Sequence, residues 1–222
     1  MCIIQLKDVY KEYQSGEEII NALDGVSLEI NQGDFLAITG TSGSGKSTLL
    51  NILGGLDRAT HGEVCYNQIN IKKHIELSKY RKENIGFIFQ FFNLIPILTV
   101  EENICLPLLV KGEDISKTKL DEVIKRLNLE KKRNVLSKHL SGGEQQRTAI
   151  GRAIISRPKI LLADEPTGNL DSGNTKNIME LLAELNKEGQ TIVMVTHDEN
   201  ITEYCNRKIV LVDGKIKENN YK

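Results

Sequence analysis

The sequence has no apolar run approaching the roughly 20 residues that an α-helix needs to cross a bilayer. Its 29 lysine and arginine residues are balanced by 30 aspartate and glutamate residues, which gives a formal net charge of −1. This balance argues against nucleic acid as a partner, because nucleic-acid-binding domains carry a basic excess. The N-terminal segment MCIIQLKDVYKEY lacks the charged-then-apolar pattern of a signal peptide. We therefore expect a soluble, cytoplasmic protein that reaches a membrane only through a partner.

Cysteine patterns that would indicate metal or disulfide chemistry are also missing. The four cysteines (Cys2, Cys65, Cys105 and Cys205) are scattered, with no CxxC pair and no neighbouring histidine cluster. Such spacing is typical of small buried or half-exposed thiols in a reducing compartment. No internal repeat or low-complexity segment divides the chain, so its 222 residues are expected to form one domain with subdomains.

What the sequence does contain is an alternation of strand and helix patterns. Apolar runs predict strands at residues 3–9, 26–30, 35–39, 85–89, 160–163, 192–195 and 209–212, and a hairpin at 62–71. The polar, glycine-containing segment 14–18 is expected to be a loop. Leucine, isoleucine and valine recur at helical spacing in three segments, at Leu49, Leu50, Leu53 and Leu56, at Leu120, Val123, Ile124 and Leu127, and at Ile178, Leu181, Leu182 and Leu185.

Two further signals concern helix ends. Thr99 and Glu102 form a capping box ahead of an apolar helix that Pro107 should end or kink. The polar tail at 215–222 is expected to fray. Strand–helix alternation interrupted by a helical insert predicts an α/β core with a helical subdomain.

The segment GTSGSGKS matches GxxxxGK[ST] at every fixed position. Its glycines let backbone N–H groups turn toward phosphates, and the following helix adds its positive end. Lys46 is predicted to reach the β- and γ-phosphates, and Ser47 to ligate Mg²⁺. The residues predicted to bind ATP here are Gly40, Thr41, Ser42, Gly43, Ser44, Gly45, Lys46, Ser47 and Thr48.

Polar residues follow three of the predicted core strands, where α/β folds bind ligands. Asp164 suits the Mg²⁺ water shell, and Glu165 can act as the general base that polarises the attacking water. His197 is predicted to stabilise charge beside the γ-phosphate, although a lone histidine there could instead be a hydrogen-bonded core residue. Gln90 is the analogous candidate for positioning water and Mg²⁺.

The segment LSGGEQQR at 140–147 is the most informative motif in the chain. Its SGG turn opens a helix and forms a second phosphate-facing element. One chain cannot use both this element and the phosphate loop on the same nucleotide, so two copies are expected to clamp ATP head to tail.

Taken together, these motifs resemble the ATP-binding subunit of ABC transporters over essentially the whole chain. The resemblance implies a RecA-like P-loop NTPase core with an antiparallel β subdomain, about 1–90 and 158–222, and a helical subdomain, about 91–157. It implies that Ser141, Gly142, Gly143 and Glu144 contact the partner's nucleotide, with Glu144 standing where the usual signature LSGGQ has glutamine.

Two other residues receive their roles from the same resemblance. Asp171 would couple the two nucleotide sites across the dimer. Tyr13 would stack on adenine, with Tyr10 as a nearby competitor whose alternating position fits strand packing better.

Several segments are most similar to the LolD, MacB, FtsE and antimicrobial-peptide-resistance ATPases. Members of this group pair with MacB/FtsX-type permeases, and the resemblance does not choose among them. The apolar segment 91–100 is either buried between subdomains or a docking groove for the permease. An ATPase scaffold for transmembrane signalling or cell division would use the same residues. A DNA-repair ATPase is disfavoured because no heptad coiled coil or basic stripe is present, and a translation-associated ABC protein would carry two such domains.

Overall fold

The computed structural model describes residues 1–16, 18–67, 69–70 and 77–221, and these residues form ten β-strands and six α-helices. The strands are β1 (Cys2–Ser15), β2 (Glu18–Asn31), β3 (Phe35–Thr39), β4 (His61–Tyr66), β5 (Ile69–Asn70), β6 (Ile85–Phe89), β7 (Ile160–Asp164), β8 (Thr191–Val195), β9 (Arg207–Val212) and β10 (Lys215–Tyr221). The helices are α1 (Lys46–Leu53), α2 (Leu77–Asn84), α3 (Val100–Lys111), α4 (Lys117–Arg126), α5 (Gly142–Ile154) and α6 (Ser172–Lys187).

The central sheet has six strands in the order β10-β9-β3-β8-β7-β6. Five of them run parallel, and β10 pairs antiparallel with β9 at one edge. All residues of β3 and β8 are buried, which explains their continuous apolar sequences. At the carboxyl edge, Phe89 pairs with Asp164 and Asp164 pairs with Val195. The residues that follow these positions in the chain therefore lie side by side.

The central sheet is covered on both faces. On one face lies an antiparallel sheet in the order β2-β1-β4-β5, which shares a core with α1. The side chains buried there include Ile4, Leu6, Ile30, Ile38, Leu49, Leu162 and Val193. On the other face, α3, α4, α5 and α6 bury Ile104, Ile124, Ile150 and Leu182 against Ala37, Ala163 and Met194. These layers have the predicted α/β class.

Most of the predicted strands and helices are confirmed. Leu120, Ile124 and Leu127 are buried, as are all four apolar residues predicted to face inward on α6. The Thr99–Glu102 capping box begins α3 with both reciprocal hydrogen bonds present. The predicted hairpin corresponds to β4 and β5, in which Tyr66 pairs with Ile69, although residues 68 and 71 lie outside the described ranges.

Helix α3 continues through Pro107 to Lys111, because Leu108 packs in the core beyond the proline. Of the two predicted effects of this proline, an end of the helix is excluded and a kink stays a prediction.

Three other details were predicted wrongly. The segment 14–18 was expected to be a loop, but Gln14 and Ser15 belong to β1 and Glu18 to β2, because the two strands remain paired up to Ser15 opposite Glu18. Leu56 lies past the end of α1 and is 48% exposed, so it does not belong to the inward face of that helix.

The third wrong detail is the C-terminal tail, which forms β10 instead of fraying. It pairs with β9 from Lys215 opposite Val212 to Tyr221 opposite Arg207. Asp213 and Gly214 join the strands with φ angles of 46° and 74°. An Asp-Gly pair between strands is a strong hairpin signal, which the polarity of the tail obscured. Residue 222 is outside the described ranges.

The described part of the chain contains no helix whose length and hydropathy would suit a membrane span.

Candidate functional site

The phosphate loop connects the carboxyl end of β3 to α1. At two positions its backbone leaves no room for a side chain, because a Cβ at Gly40 would lie 2.1 Å from the Leu211 carbonyl oxygen and one at Gly45 would lie 2.2 Å from that of Ala22. Both glycines also have positive φ angles, 145° and 101°. No side chain caps α1 at Gly45. The first amides of the helix can therefore face an anion.

Lys46 is held at the mouth of this loop. Its ammonium group donates hydrogen bonds to the carbonyl oxygens of Gly40 (2.9 Å) and Thr41 (2.7 Å). These bonds curl the lysine over the loop, which places a cation above the amides that would cradle phosphate.

Asp164 ends β7 beside the phosphate loop. Burial, and then the charge of Glu165, raise the pKa of Asp164, while a hydrogen bond from the Ser47 side chain opposes this shift. A carboxylate joined to a serine hydroxyl presents the oxygen ligands that Mg²⁺ prefers. Two of the three residues predicted to hold the metal, Ser47 and Asp164, are thus brought into contact.

Glu165 and His197 form the centre of the site. Glu165 has a φ of 46°, and its N–H donates to the Val195 carbonyl oxygen at 3.0 Å, which anchors the residue at the end of the neighbouring strand. A positive φ is uncommon outside glycine and often marks a functional position. The His197 Nδ1 atom lies 2.9 Å from Glu165 Oε1. This hydrogen bond, and then the charge of Glu165, raise the pKa of His197.

Gln90 follows β6 at the same edge and contacts the loop after Glu165. Its backbone carbonyl accepts a hydrogen bond from Asn169 Nδ2 at 2.9 Å. A Cβ at Gly168 would lie 2.7 Å from Gln90 Nε2, so the glutamine side chain packs directly on that loop.

The signature turn begins α5 at Ser141. Its N–H and hydroxyl donate to Glu144 Oε2 at 2.9 Å and 3.0 Å, and Glu144 N–H donates back to Ser141 Oγ at 3.4 Å. Hydrogen bonds from Ser141 hold the pKa of Glu144 below its usual value. Within the described residues, no hydrogen bond joins Ser141 to the phosphate loop of the same chain.

Asp171 lies beside this signature turn. It caps α6 by accepting from the Asn174 N–H at 2.9 Å and from Asn174 Nδ2 at 2.6 Å, and these bonds lower its pKa. A Cβ at Gly143 would lie 2.2 Å from Asn174 Oδ1. The second signature glycine therefore leaves the space that the Asn174 side chain of α6 occupies against α5.

Tyr13 lies near the phosphate loop. Its hydroxyl donates to Asp57 Oδ2 at 2.7 Å and also interacts with Thr48 of α1. The Lys11 ammonium lies 4.7 Å from the centre of the Tyr13 ring and 2.8 Å from Asp57 Oδ1. Burial, and then the hydrogen bond to Asp57, raise the Tyr13 pKa.

Tyr10, the competitor, has its phenol end close to Gly25, where an added Cβ would lie 3.2 Å from the tyrosine hydroxyl oxygen. It packs on the β1–β2 hairpin, whereas Tyr13 faces α1.

Sequence patterns did not identify four residues that hold these groups. Lys11 and Asp57 fix Tyr13, Asn174 joins Asp171 to the signature turn, and Arg152 of α5 donates to the carbonyl oxygens of Phe92 (2.8 Å) and Asn93 (2.5 Å). Each of these side-chain contacts either joins segments that are distant in the chain or needs the folded structure to orient the side chain. Composition and spacing therefore could not indicate them.

The sequence matches the model of the ABC transporter family over residues 23–168. It is 50% identical over 225 residues to the ABC transporter ATP-binding protein MJ0796 of Methanocaldococcus jannaschii, an alignment covering 97% of this chain and 95% of that protein. It is 41% identical over 223 residues to the lipoprotein-releasing system ATP-binding protein LolD of Desulfotalea psychrophila, covering 98% and 100%.

Longer proteins and solved structures show similarity to the same family. The macrolide export protein MacB of Mannheimia succiniciproducens is 43% identical over 226 residues, but this chain spans only 35% of its length. A solved dimer of MJ0796 in a post-hydrolysis state with ADP and Pi has a TM-score of 0.90 at 46% identity, covering 99% of this chain and 98% of that one. The chain therefore belongs to the ABC transporter family, and it is an ATP-binding subunit with ATPase activity.

Proposed function

We propose that two copies of this chain bind two ATP molecules head to tail and that closure of the pair is the mechanical step that drives a membrane permease. The observation that carries this proposal is the group formed by Lys46, Asp164, Glu165 and His197 at the carboxyl edge of the central sheet. It supplies a cation, a metal ligand, a base and an orienting histidine around one position.

Binding of ATP is assigned to the phosphate loop and Tyr13. The uncapped amides of α1 and the Lys46 ammonium would contact the β- and γ-phosphates. The Tyr13 ring, with Lys11 on one face, would offer its other face to adenine. Mg²⁺, held by Ser47, Asp164 and Gln90, would neutralise phosphate charge when bound.

Hydrolysis is assigned to Glu165 as the general base. A water oxygen attacks the γ-phosphorus, its proton passes to Glu165, and the bond to the β–γ bridging oxygen breaks to release ADP. His197 keeps Glu165 oriented through the 2.9 Å hydrogen bond, and Gln90 positions the water. General-base catalysis contributes about 10²–10⁴-fold to such a step.

The second half of each nucleotide site is assigned to the partner copy. Ser141 and Gly143 at the amino end of α5 would contact the γ-phosphate held by the other chain. The absence of a hydrogen bond from Ser141 to its own phosphate loop, within the described residues, supports this arrangement. The contact of Asn174 with Asp171 would link the signature turn to the neighbouring site.

The permease is assigned to a groove between α2, β6 and α3. The groove has a volume of about 490 Å³, and its lining includes Phe87, Phe89, Leu106, Pro107, Val110 and Arg152. Phe91 (73% exposed) and Ile97 (75% exposed) belong to the segment that follows β6. Because Arg152 also binds the turn after Gln90, a helix docked here could influence both Gln90 and α5.

We assign the segment that binds in this groove as a cytoplasmic coupling helix of a MacB/FtsX-type permease, in keeping with the MacB and LolD relatives. The chain would then lie at the cytoplasmic face of the membrane. A helical subdomain of about residues 91–157 contains α3, α4 and α5. It would move relative to the nucleotide-binding core, which comprises about residues 1–90 and 158–222.

Glu165→Gln tests this proposal at its chemical centre. The substitution keeps the size and polarity of the side chain but removes the base, so steady-state ATPase activity should fall by at least about 10²-fold. ATP binding, measured by equilibrium dialysis, should persist, and an ATP-bound dimer should accumulate. His197→Gln is the companion variant, because it removes the orienting group but leaves the base. Turnover of Glu165→Gln within about threefold of wild type would assign the base elsewhere.

A further inference from the structure

The signature turn carries a carboxylate whose two oxygens have different partners. Glu144 Oε2 accepts from the Ser141 N–H and hydroxyl, at 2.9 Å and 3.0 Å. Glu144 Oε1 lies 3.3 Å from the ammonium group of Lys132. The Glu144 side chain is only 18% exposed. Lys132 ends the short 3₁₀ helix Glu130–Lys132, which lies between α4 and α5 in the chain.

Glu144 changes the electrostatic field at the start of α5. A helix N-terminus is equivalent to about half a positive elementary charge, so one uncompensated carboxylate in the first turn reverses its sign. The positive charge of Lys132 restores a positive field at this end of the helix. Under the proposed function, this is the point that must approach the partner's γ-phosphate.

Glu144 also accepts the one hydrogen bond that the Ser141 hydroxyl can donate. To donate to a phosphate, Ser141 must turn its hydroxyl proton away from Glu144 Oε2. A cation beside the same carboxylate weakens its attraction for the proton, because part of its charge is already neutralised. Lys132 therefore acts on both the field and the hydrogen bond.

We infer that Lys132 is a positioning residue of the composite nucleotide site. It neutralises Glu144, so that the serine hydroxyl and the amino end of α5 can receive the partner-bound γ-phosphate. Lys132 itself touches no nucleotide and acts only through Glu144. The inference rests on the proposed head-to-tail site.

The test uses the Glu165→Gln chain, in which bound ATP is not turned over. The ATP concentration that gives half-maximal dimerisation is measured by light scattering at low ionic strength. Lys132→Ala should raise this concentration by about three- to tenfold, because an unpaired charge then faces the incoming phosphate. Lys132→Arg should retain the original value. The ATP affinity of the monomer should stay within about twofold, since Lys132 does not serve its own phosphate loop.

Rescue distinguishes this role from a structural one. Adding Glu144→Gln to Lys132→Ala should restore dimerisation, because the neutral amide needs no counter-charge. Lys131→Ala is the matched control: the neighbouring lysine is exposed and forms no ion pair in the described structure, so this variant should dimerise normally. The inference would be overturned if Lys132→Ala left the ATP concentration for half-maximal dimerisation unchanged. It would also be overturned if the double variant were as defective in dimerisation as Lys132→Ala alone, or if Lys131→Ala showed an equal defect.

Failure of the inference can be separated from failure of the head-to-tail site. If Ser141→Arg abolishes dimerisation and Lys132→Ala does not affect it, the composite site stands and only the role of Lys132 is lost. If Ser141→Arg itself dimerises normally, the composite site is wrong, and the role of Lys132 falls with it.

Discussion

At the scale of single residues, the site depends on side chains held in fixed directions by their neighbours. Glu165 adopts a φ of 46° and is anchored through its N–H to Val195, so its backbone is fixed at the strand end. His197 lies on the adjacent strand end and contacts the same carboxylate. Such preorganisation lowers the reorganisation needed when charge develops in the transition state.

The titration of His197 tests this pairing directly. We expect the midpoint of His197, followed by NMR in ligand-free protein, to lie above the ordinary histidine value of about 6.5 because the imidazolium is stabilised by Glu165. In Glu165→Gln the midpoint should fall back toward that value. Since the folded-state pKa is raised, the stabilising contribution of the pair is complete below the unfolded-state pKa and is lost as pH rises through the folded-state pKa.

The chain has four histidines, so the NMR signal of His197 must be assigned. It is the histidine signal that is absent from the spectrum of the His197→Gln variant. A His197 midpoint that does not change when Glu165 is replaced by glutamine would show that the two side chains are not coupled in solution.

The placement of the candidate site residues was predictable where a short motif carries them, and their roles stay predictions. Lys46, Ser47, Asp164 and Glu165 follow fixed spacings or strand ends, and the structure places them around one edge of the sheet. The partners of Tyr13 were not predictable, because Lys11 and Asp57 are separated by 46 residues in the chain and meet only through the contact of β1 with the loop after α1. A side-chain network of this kind leaves no periodic signal.

At the scale of elements, the turn after β6 connects three parts of the molecule. Phe92 and Asn93 both have positive φ angles, 62° and 50°, and their carbonyl oxygens are held by Arg152 of α5. Gln90 precedes this turn, and Ile97 projects beyond it into solvent. A partner that binds at the groove would therefore contact an element connected both to the sheet edge that carries Glu165 and to α5.

Ile97→Glu tests the docking assignment. We expect the purified variant to fold and to retain basal ATPase activity, because the side chain is 75% exposed. Its co-purification with the proposed MacB/FtsX-type permease from detergent-solubilised membranes should be lost, since a charge would be buried without a partner. Transport or resistance in cells should fail with it.

The matched control is Ile69→Glu, which places the same charge at an exposed isoleucine of β5, on the antiparallel sheet. This variant should bind the permease normally. Normal permease binding by Ile97→Glu, or unfolding of its isolated domain, would remove the docking assignment.

Elements were predictable where one physical pattern dominates. The buried strands and α6 follow directly from their apolar runs and helical periodicity. The C-terminal strand β10 was not predictable, because its side chains are mostly exposed and carry no apolar alternation. This strand is defined by backbone pairing with β9 and by the Asp-Gly turn. The helix does not end at Pro107 for a related reason, since packing of Leu108 in the core offsets the hydrogen bond that proline removes.

At the scale of the whole molecule, buried polar links hold the two sheets together. Arg207 is 3% exposed and donates to Asp34 Oδ2 (3.0 Å), the Glu29 carbonyl oxygen (2.6 Å) and Asn219 Oδ1 (3.0 Å). These partners belong to the entrance of β3, to β2 and to β10. One guanidinium thus ties the antiparallel sheet to the central sheet.

Arg207→Met should therefore destabilise the fold strongly. Removing one partner of a buried ion pair leaves an uncompensated charge at Asp34, which costs about 3–5 kcal/mol in the free energy of unfolding measured in urea. Arg126→Met is the control, because its ion pair with Glu188 is more exposed and contributes about 1 kcal/mol or less. Equal losses in the two variants would contradict the role given to Arg207.

The central claim, that each ATP is held between two chains, is tested most directly by Ser141→Arg in the Glu165→Gln background. ATP affinity of the monomer and ATP-dependent dimerisation are measured on the same preparation, with Lys46→Ala as the variant that disrupts the phosphate loop. The account predicts that Ser141→Arg leaves monomer affinity within about twofold of its parent while dimerisation fails, because Ser141 serves the partner's nucleotide. A loss of monomer affinity as large as that of Lys46→Ala would show that the signature acts on its own chain's nucleotide, and the head-to-tail account would be wrong.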